Sequence, residues 1–423
     1  MQSSLLDQVS AISFLKTAWH RLNKSNKESR GLSSETVEEF QAALEFNLIE
    51  VSRQLKQGKF KFSKVRGVVI PKKEKGKYRE LRIAEVRDRL VLKAISIVLD
   101  QILTDKYDLD NECSYAYRKD RNVEGAIRRM VSLYKEGNKI ILEADIKNFF
   151  GSVNRAKLLG EVFSNLPDTS LNDLIEQGME QEVGNFNELG EHQSLFEESL
   201  SGIPQGNALS PLMANIYLSG FDKRMREEGF NMIRYADDFI VMCNSHKLAD
   251  AAYKLSKHIL EEGLGLTLHP LSDPFDTKGK SRIADVRYHK FSFLSIRFNG
   301  GQLWVNEKKV KQLKESIREV TDISKSPNLL VIFKRTKNLL EGWLSAYKFV
   351  DVDRDVSEID SYINYQLYMA MLKLSFDIKH ANTENVIINR ERRRALTITQ
   401  RGNTGVPLCK DFLSSIDRKL III

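Results

Sequence analysis

Apolar residues recur at helical spacing through much of the chain, and short β-rich runs interrupt that pattern. Over the first sixty residues an apolar residue returns every third or fourth position, most clearly in 37–55, which predicts a helical lead-in ending at Gly58. Two β-rich runs, 65–70 and 78–83, then flank a basic stretch containing Pro and Gly. This arrangement predicts a hairpin with a cationic tip.

Helices and strands alternate over the following two hundred residues. The predicted helices are 88–103, 123–134, 153–183, 208–225 and 246–262. The predicted strands are 140–142 ending at Asp145, a hairpin around Asp237-Asp238, and a hairpin formed by 291–298 and 302–305. Residues 184–200 are polar and acidic, and we interpret them as an irregular excursion that carries no chemistry. Beyond residue 307 the spacing predicts a separate helical unit of three elements.

The composition indicates what class of protein this is and what kind of partner it binds. A chain of 423 residues can bury a core in two or three domains, and its formal net charge of +8 favours a polyanionic partner. Its three cysteines are widely separated and lack metal-ligand spacing, so neither a disulfide framework nor a zinc site is expected. We find no signal peptide and no long apolar run, which predicts a cytoplasmic protein without a membrane partner.

Two adjacent carboxylates, Asp237 and Asp238, stand between apolar runs with strand-like composition. Neighbouring carboxylates repel each other, and a divalent cation such as Mg²⁺ relieves the repulsion because it prefers oxygen ligands and substrate phosphates. A polar hairpin turn explains the same residues without a metal. Earlier in the chain Asp145 ends an apolar strand, either as a third metal ligand or as a helix cap.

Between these carboxylates lies a loop, 201–211, that contains Gly and Pro and leads into a helix. Such a loop lets the backbone approach a ligand closely, although an ordinary turn and helix cap has the same composition. The order of the four features along the chain is more specific than any one of them. It runs from the basic hairpin to the strand ending in Asp145, then to the Pro-Gln-Gly loop and the Tyr-Ala-Asp-Asp hairpin.

This series resembles the reverse transcriptase family, and within it the bacterial group II intron-type and defence-associated enzymes. The similarity extends over about residues 60–375. The matching segments are 70–72, 79–83, 87–89 and 114–118 in the fingers, 145–150, 204–206 and 235–238 in the palm, and 342–347 in the thumb. The resemblance implies an α+β right-hand polymerase with fingers, a palm built on an antiparallel sheet, and a helical thumb.

The resemblance also implies a role for each matching residue. The catalytic carboxylates would be Asp145, Asp237 and Asp238, and the metal-binding residues would be these three with Ile146. Two Mg²⁺ ions are expected, with Mn²⁺ as a possible substitute. The nucleotide-binding residues would be Lys72, Arg79, Phe150, Gln205, Gly206 and Lys280.

Each assignment has a physical reason and an alternative. A ring at Phe150 would clash with a ribose 2′-hydroxyl and so favour dNTPs, whereas a core aromatic would serve packing alone. Lys72 and Arg79 suit a triphosphate, yet on a basic hairpin they could be solvated surface charges. Lys280 is preferred to Lys278 as the lysine of the next palm motif. Ser295 stands where the family's primer-gripping hairpin usually has glycine, and an ordinary core hairpin is the alternative there.

The same motifs predict the domain boundaries. Residues 1–59 are expected to form a helical amino-terminal extension, 60–305 the fingers and palm, 306–375 the helical thumb, and 376–423 a carboxy-terminal basic tail. The pattern does not place that tail.

The expected function is RNA-directed DNA synthesis that copies a dedicated structured noncoding RNA from a DNA or RNA primer and dNTPs, in antiphage defence. Residues 29–33 depart from the Gly-Ile-Asp-Gly motif of intron-encoded enzymes, and we recognise no Cys/His-rich endonuclease module after the thumb, which disfavours mobility. Two alternatives stay open: an intron maturase and mobility enzyme, and an RNA-binding scaffold with dispensable polymerase activity. The template, the primer type, the fate of the cDNA, the phage trigger and the oligomeric state are left open.

Overall fold

The computed structural model describes residues 3–71, 76–198, 202–276, 279–299, 302–376, 378 and 383–421. The chain folds into two compact units, one of Met1–Ala126 with Ile140–Ala284 and the other of Ile127–Lys139 with Asp285–Ile423. The predicted amino-terminal extension, 1–59, is therefore part of a larger unit. The division at 284/285 falls inside the range 60–305 that the sequence assigns to fingers and palm.

The elements of the first 184 residues follow the predicted alternation of helices and strands, with more breaks. In chain order they are α1 (Leu5–Ser10), α2 (Ile12–Arg21), α3 (Val37–Ala42), α4 (Leu44–Lys56), β1 (Arg66–Pro71), β2 (Tyr78–Ile83), α5 (Val86–Lys106), α6 (Val123–Lys135), β3 (Ile140–Lys147), α7 (Phe149–Ser152), α8 (Arg155–Ser164) and α9 (Asn172–Glu180). The predicted helix 153–183 is thus two helices. Capping boxes at Ser4 and Thr36 fix the starts of α1 and α3. In each, the hydroxyl accepts a hydrogen bond from the backbone N–H three residues later, and the acidic side chain of that later residue accepts one from the backbone N–H of the capping residue.

The remaining elements of the first unit surround the predicted carboxylate hairpin. They are a 3₁₀ helix (Phe186–His192), α10 (Gln193–Glu198), α11 (Ser210–Glu227), β4 (Asn231–Tyr235), β5 (Asp238–Cys243), α12 (His246–Lys257), a π-helical turn (His258–Gly263), β6 (Thr267–Leu268), β7 (Leu271–Ser272) and β8 (Ser281–Asp285). The core of this unit includes α5, whose buried side chains surround the helix on most sides.

One six-stranded sheet carries the predicted site. Its main strand order is β4-β5-β3-β8-β7, and β6 pairs with β3. The strand pairs β3–β5, β4–β5 and β3–β6 are antiparallel, as predicted for a palm, whereas the short pair β7–β8 is parallel. The central strand β3 begins with buried apolar residues, as is typical of a strand inside a covered sheet. Its polar residues lie toward its carboxyl end.

Residues 184–198 differ from the predicted irregular excursion. They form the 3₁₀ helix and α10, and they pack on the hairpin of β1 and β2. Gly67 donates its N–H to Asn185 Oδ1 at 2.7 Å and accepts a bond from Asn185 Nδ2 at 3.1 Å, and the rings of Tyr78 and His192 lie 4.3 Å apart. The polar side chains of this segment thus bind the fingers hairpin, which local sequence could not reveal.

The second unit contains two small sheets and a group of helices. Its later elements are β9 (Phe291–Phe293), β10 (Ile296–Asn299), β11 (Gln302–Val305), α13 (Glu307–Val320), α14 (Leu329–Tyr347), α15 (Asp353–Lys373), β12 (Glu384–Ile388), β13 (Glu391–Ala395), α16 (Ile398–Asn403) and α17 (Cys409–Ser415). The predicted single strand 291–298 is two strands, because Leu294 and Ser295 turn the chain with φ of 51° and 69°. A positive φ at Ser295 explains why glycine suits this position.

The predicted basic tail is folded over its described residues. A hairpin of β12 and β13 packs on α15, and α17 packs on α14 and α15. Arg401 is fully buried, forms an ion pair with Asp360 at 2.8 Å and donates to Asn364 Oδ1 at 3.2 Å. The sequence pattern did not place this basic segment, and the buried, paired Arg401 anchors it to α15. Over the described residues no helix is both long and apolar enough to cross a membrane.

Candidate active site

The first unit contains a cavity of about 630 Å³ at the carboxyl end of β3. Its lining includes every predicted site residue that the structure describes: Arg79, Asp145, Ile146, Phe150, Gln205, Gly206, Asp237, Asp238 and Lys280. These residues come from β2, β3, α7, the loop before α11, the β4–β5 turn and the start of β8. Lys72, predicted to bind the triphosphate, and Lys278, the other candidate for the palm lysine, lie outside the described residues.

Strand register brings the three aspartates together. Asp145 on β3 is the direct cross-strand partner of Asp238 on β5, so their Cβ atoms are about 4.5–5.5 Å apart. Asp237 occupies the turn between β4 and β5, next to Ala236, whose φ is 59°. A left-handed backbone at alanine is strained, and such strain is typical of a functional turn held by its surroundings.

Asp237 and Asp238 have raised pKa values. Desolvation within the cavity raises the pKa of Asp238 to about 7, and repulsion from Asp237, Asp145 and Glu143 adds to it. The pKa of Asp237 is raised by the same burial and by Asp145. The site therefore stores electrostatic repulsion that a bound positive charge would relieve.

Two basic side chains contact Asp145 directly. Lys280 Nζ lies 3.0 Å from Asp145 Oδ2, and His269 Nε2 lies 3.7 Å from the same oxygen. The His269 backbone N–H also donates to the Asp145 carbonyl at 3.0 Å. Desolvation lowers the pKa of His269, which outweighs the attraction of Asp145. Lys280 thus supplies a fixed positive charge at the carboxylates, and sequence reasoning missed His269.

The donor set suits a hard divalent cation. The aspartates offer carboxylate oxygens, and Ile146 could contribute only its backbone carbonyl because its side chain has no donor atom. Over the described parts of the chain, no group of three or more His, Cys, Asp or Glu side chains is placed to hold a metal ion by itself. Mg²⁺ is commonly held by one or two carboxylates and completed by water and substrate phosphates.

Phe150 faces the cavity from the short helix α7 and packs edge-on against the buried Phe149, with ring centroids 5.4 Å apart. The backbone on either side is fixed, since Ile203 N–H donates to the Phe150 carbonyl at 2.9 Å. At Gly202 an added Cβ would come within 2.1 Å of that carbonyl, so only glycine permits this approach. The 202–206 loop therefore fixes the backbone that carries the Phe150 side chain.

The Pro-Gln-Gly loop touches the fingers hairpin. The Arg82 N–H donates to the Gln205 carbonyl at 3.0 Å. Gly206 has a φ of 98°, and a Cβ there would lie 2.7 Å from the Arg82 carbonyl. Arg82 is itself buried and donates from its guanidinium to the carbonyls of Gln181 and Phe196, each at 3.0 Å. The segment 184–198 is thereby connected through Arg82 to the Pro-Gln-Gly loop.

Sequence reasoning missed a buried ion pair behind the aspartates. Arg234 and Asp222 are each 1 % exposed, and Arg234 Nε donates to Asp222 Oδ1 at 2.6 Å. The same guanidinium donates to the Ala236 carbonyl at 3.0 Å, to Asn215 Oδ1 at 3.1 Å and to Ser114 Oγ at 2.8 Å. Arg234 precedes the recognised Tyr-Ala-Asp-Asp motif by one position, but nothing local indicates its partners. It binds the strained turn that presents Asp237.

Tyr117 is a second residue that the sequence did not single out. It lines the cavity, is 53 % exposed and has a φ of 61°. Its neighbours fix that backbone, because Asn215 Nδ2 donates to the Ala116 carbonyl at 3.0 Å and Arg118 Nε donates to Asp110 at 2.8 Å. A bulky residue with positive φ is a strained outlier, and here the strain directs an aromatic side chain into the cavity.

Two family models match the chain. Residues 70–271 match the reverse transcriptase (RNA-dependent DNA polymerase) family, and residues 310–377 match the group II intron maturase-specific domain. The first match contains the cavity residues described above except Lys280, which lies beyond its end. The second contains α14, whose Trp343 and Tyr347 rings lie 4.9 Å apart in the predicted thumb motif.

Known proteins from yeast and from a bacterium are similar to the chain. It is 26 % identical over 228 residues to a COX1/OXI3 intron 1 protein from Saccharomyces cerevisiae, covering 54 % of this chain and 26 % of that protein. It is 29 % identical over 202 residues to the group II intron-encoded protein LtrA from Lactococcus lactis, covering 47 % of this chain and 31 % of that protein. The chain thus spans about a third of these relatives or less.

Among solved structures, a partial Cas6-RT-Cas1–Cas2 complex superposes with a TM-score of 0.35 at 24 % identity, covering 62 % of this chain and 43 % of that one. An apo telomerase from Candida tropicalis superposes with a TM-score of 0.42 at 12 % identity, covering 77 % and 68 %. Superpositions this loose support no inference about activity.

The fold and the cavity define a mixed α and β polymerase domain of the reverse transcriptase family. Because a match to the maturase-specific domain follows it in the same chain, the protein is similar to the group II intron-like reverse transcriptases. The predicted family and fold class are thereby confirmed.

We expect Arg234→Lys to slow nucleotide incorporation by roughly 100-fold while changing the KM for the nucleotide little. A lysine still supplies a positive charge to pair with Asp222, but it cannot also bind Ala236, Asn215 and Ser114. Steady-state primer extension measures both constants. Arg224→Lys, in an exposed ion pair on α11, is the control. If kcat fell only in proportion to the fraction of protein that is folded, Arg234 would contribute to stability alone.

We expect Asp238→Asn to raise the thermal unfolding midpoint of the metal-free protein, and to raise it more as the pH increases. The pKa of Asp238 in the folded protein, about 7, exceeds its ordinary value of 3.8. Between these two pH values the carboxyl ionises more readily in the unfolded chain than in the folded protein, so the wild-type protein loses stability as the pH rises. The gain should be absent below pH 4 and level off above pH 7. Calorimetry in EDTA tests this, with Asp250→Asn on α12 as the control, and a gain independent of pH would contradict it.

Proposed function

We propose that this protein is an RNA-directed DNA polymerase that extends a primer with dNTPs. The observation that carries the proposal is the gathering of Asp145, Asp237 and Asp238 with Arg79 and Lys280 around one open cavity of the matched domain. Carboxylates and cations side by side suit a reaction in which a metal-bound triphosphate loses pyrophosphate.

In the proposed reaction the primer 3′-hydroxyl oxygen forms a bond to the α-phosphorus of a dNTP, and the bond from that phosphorus to the bridging oxygen of pyrophosphate breaks. Two Mg²⁺ ions, held by the three aspartates and the Ile146 carbonyl, would acidify the hydroxyl and stabilise the departing pyrophosphate. Arg79 would bind the triphosphate oxygens. Lys280, already beside Asp145, would release that carboxylate to the metal and turn to the phosphates.

The remaining cavity residues would select and orient the nucleotide. Gln205 and the glycine backbone at Gly206 would lie along the base and sugar, since an absent Cβ permits close approach. The Phe150 ring would fill the space of a ribose 2′-hydroxyl. Discrimination of this kind depends on a ring that cannot move, and the contacts of Phe149 and Ile203 supply that rigidity.

The proposed template is a dedicated structured noncoding RNA copied in the bacterial cytoplasm, and the proposed biological outcome is resistance to phage. Support comes from residues 29–33, which depart from the Gly-Ile-Asp-Gly motif of intron-encoded enzymes. In the structure Ser33 in this stretch donates its N–H to Glu85 Oε1 at 2.8 Å and its hydroxyl to Glu85 Oε2 at 2.6 Å.

A second candidate function is that of an intron maturase, which would bind intron RNA and assist its splicing. The match of residues 310–377 to the maturase-specific domain favours it. The two functions differ in what copurifies with the protein, which is a cDNA with its template in the first case and intron RNA in the second.

We expect Asp237→Asn to abolish primer extension on an RNA template and to abolish protection from phage, because an amide removes the charge of a principal metal ligand. Primer extension and phage plating efficiency are measured in parallel, with Asp250→Asn as the matched control. Full protection by an Asp237→Asn protein that cannot extend a primer would favour the scaffold alternative. Normal extension by the variant would overturn the site itself.

We expect Phe150→Ala to increase ribonucleotide incorporation relative to deoxyribonucleotide incorporation by roughly 10- to 100-fold, because the space for a 2′-hydroxyl opens. Competition between rNTP and dNTP in single-nucleotide extension measures the ratio. Phe150→Tyr keeps the ring and should keep the discrimination. An unchanged ratio in the alanine variant would show that another residue selects the sugar.

A further inference from the structure

The hairpin of β12 and β13 lies beyond both family matches and presents a row of arginines to solvent. Its strands pair antiparallel, with Ile387 opposite Arg392 and Asn385 opposite Arg394. Four arginines are exposed in this short segment: Arg390, Arg392, Arg393 and Arg394.

The two faces of the hairpin differ. Val386 and Ala395 are buried and define the face that packs toward α15, where the Asn364 amide donates to Glu384 at 3.0 Å. Because side chains alternate along a strand, Arg392 and Arg394 share the opposite face and stand about 7 Å apart. Ile387, 72 % exposed, lies on that same face.

Ion pairing follows the same division. Arg393, which is on the packed side, is paired with Glu391. In the described part of the chain, Arg390, Arg392 and Arg394 have no ion-pair partner. The outer face therefore carries unneutralised positive charge on a rigid support.

The turn gives an independent indication that the charge is used. Asn389 and Arg390 form a two-residue turn with φ of 51° and 68°. Such turns favour Asn followed by Gly, because a side chain at the second position is strained. An arginine stands here where glycine would be more stable, which is expected of a residue kept for binding.

We propose that the outer face of this hairpin, formed by Arg390, Arg392 and Arg394 with Ile387, binds the phosphodiester backbone of double-stranded nucleic acid. Guanidinium groups match phosphate oxygens with two parallel hydrogen bonds, and a two-stranded ribbon is narrow enough to follow a groove. Ile387 contacts sugar edges between the phosphates. This binding site does not depend on the chemistry of the cavity, so it is testable in a protein that cannot polymerise.

The test measures binding of the full-length protein to a 30-base-pair RNA duplex and a DNA duplex of the same sequence by fluorescence anisotropy across salt concentration. We expect the double variant Arg392→Gln/Arg394→Gln to weaken binding and to reduce the slope of log K against log salt by about 2. Arg393→Gln changes the same charge on the packed face and should leave the slope unchanged. The duplex with the larger change identifies the nucleic acid that is bound.

Arg390→Gly separates binding from folding. We expect it to raise the thermal unfolding midpoint, because glycine relieves the positive φ, and yet to reduce the salt slope by about 1. Unchanged slopes in all outer-face variants would overturn the proposal. Loss of binding to vesicles of phosphatidylglycerol and phosphatidylcholine, with duplex binding intact, would overturn it in favour of a membrane surface. The same measurements in the Asp237→Asn background remain valid if the polymerase proposal fails.

Discussion

The register between β3 and β5 is the constraint on which the site depends. It places Asp145 directly opposite Asp238, so two carboxylates of like charge are held together by the backbone hydrogen bonds of a sheet. Separate loops would move apart to relieve that repulsion, but paired strands inside a covered sheet cannot. Burial raises the pKa values of Asp237 and Asp238, and the repulsion from Asp145 adds to the effect. A polymerase benefits because the repulsion favours binding of a cation.

The surrounding parts of the first unit hold this arrangement by close contacts. The buried pair of Arg234 and Asp222 supports the strained turn at Ala236, and the same guanidinium reaches Ser114 in the segment that leads to Tyr117. On the other side of the cavity, Gly202 and Gly206 allow backbone contacts that any Cβ would prevent. A buried charged pair contributes little net stability, but removing one partner is costly. Its role here is to fix position.

The two units are suited to different tasks. The first carries the chemistry and matches the polymerase family, while the second carries the maturase-specific match and a hairpin of arginines outside it. Enzymes that act on nucleic acid need a reactive site and also an affinity for nucleic acid that does not depend on base sequence. Contacts with the backbone phosphates supply this affinity.

The sequence alone determined the family, the order of helices and strands, and the identity of most cavity residues, because motifs and apolar periodicity are local properties. That pattern predicted the antiparallel strands of the palm. It did not predict the breaks within 153–183 and at Leu294-Ser295, because the position of a single turn depends on packing. Only the tertiary structure decided what surrounds Asp237. The bond from Arg234 to Ser114 joins residues 120 positions apart, and 184–198 gains its order from the hairpin of β1 and β2 that it binds. Such contacts leave no periodic signal, because each depends on chain segments that meet only after folding.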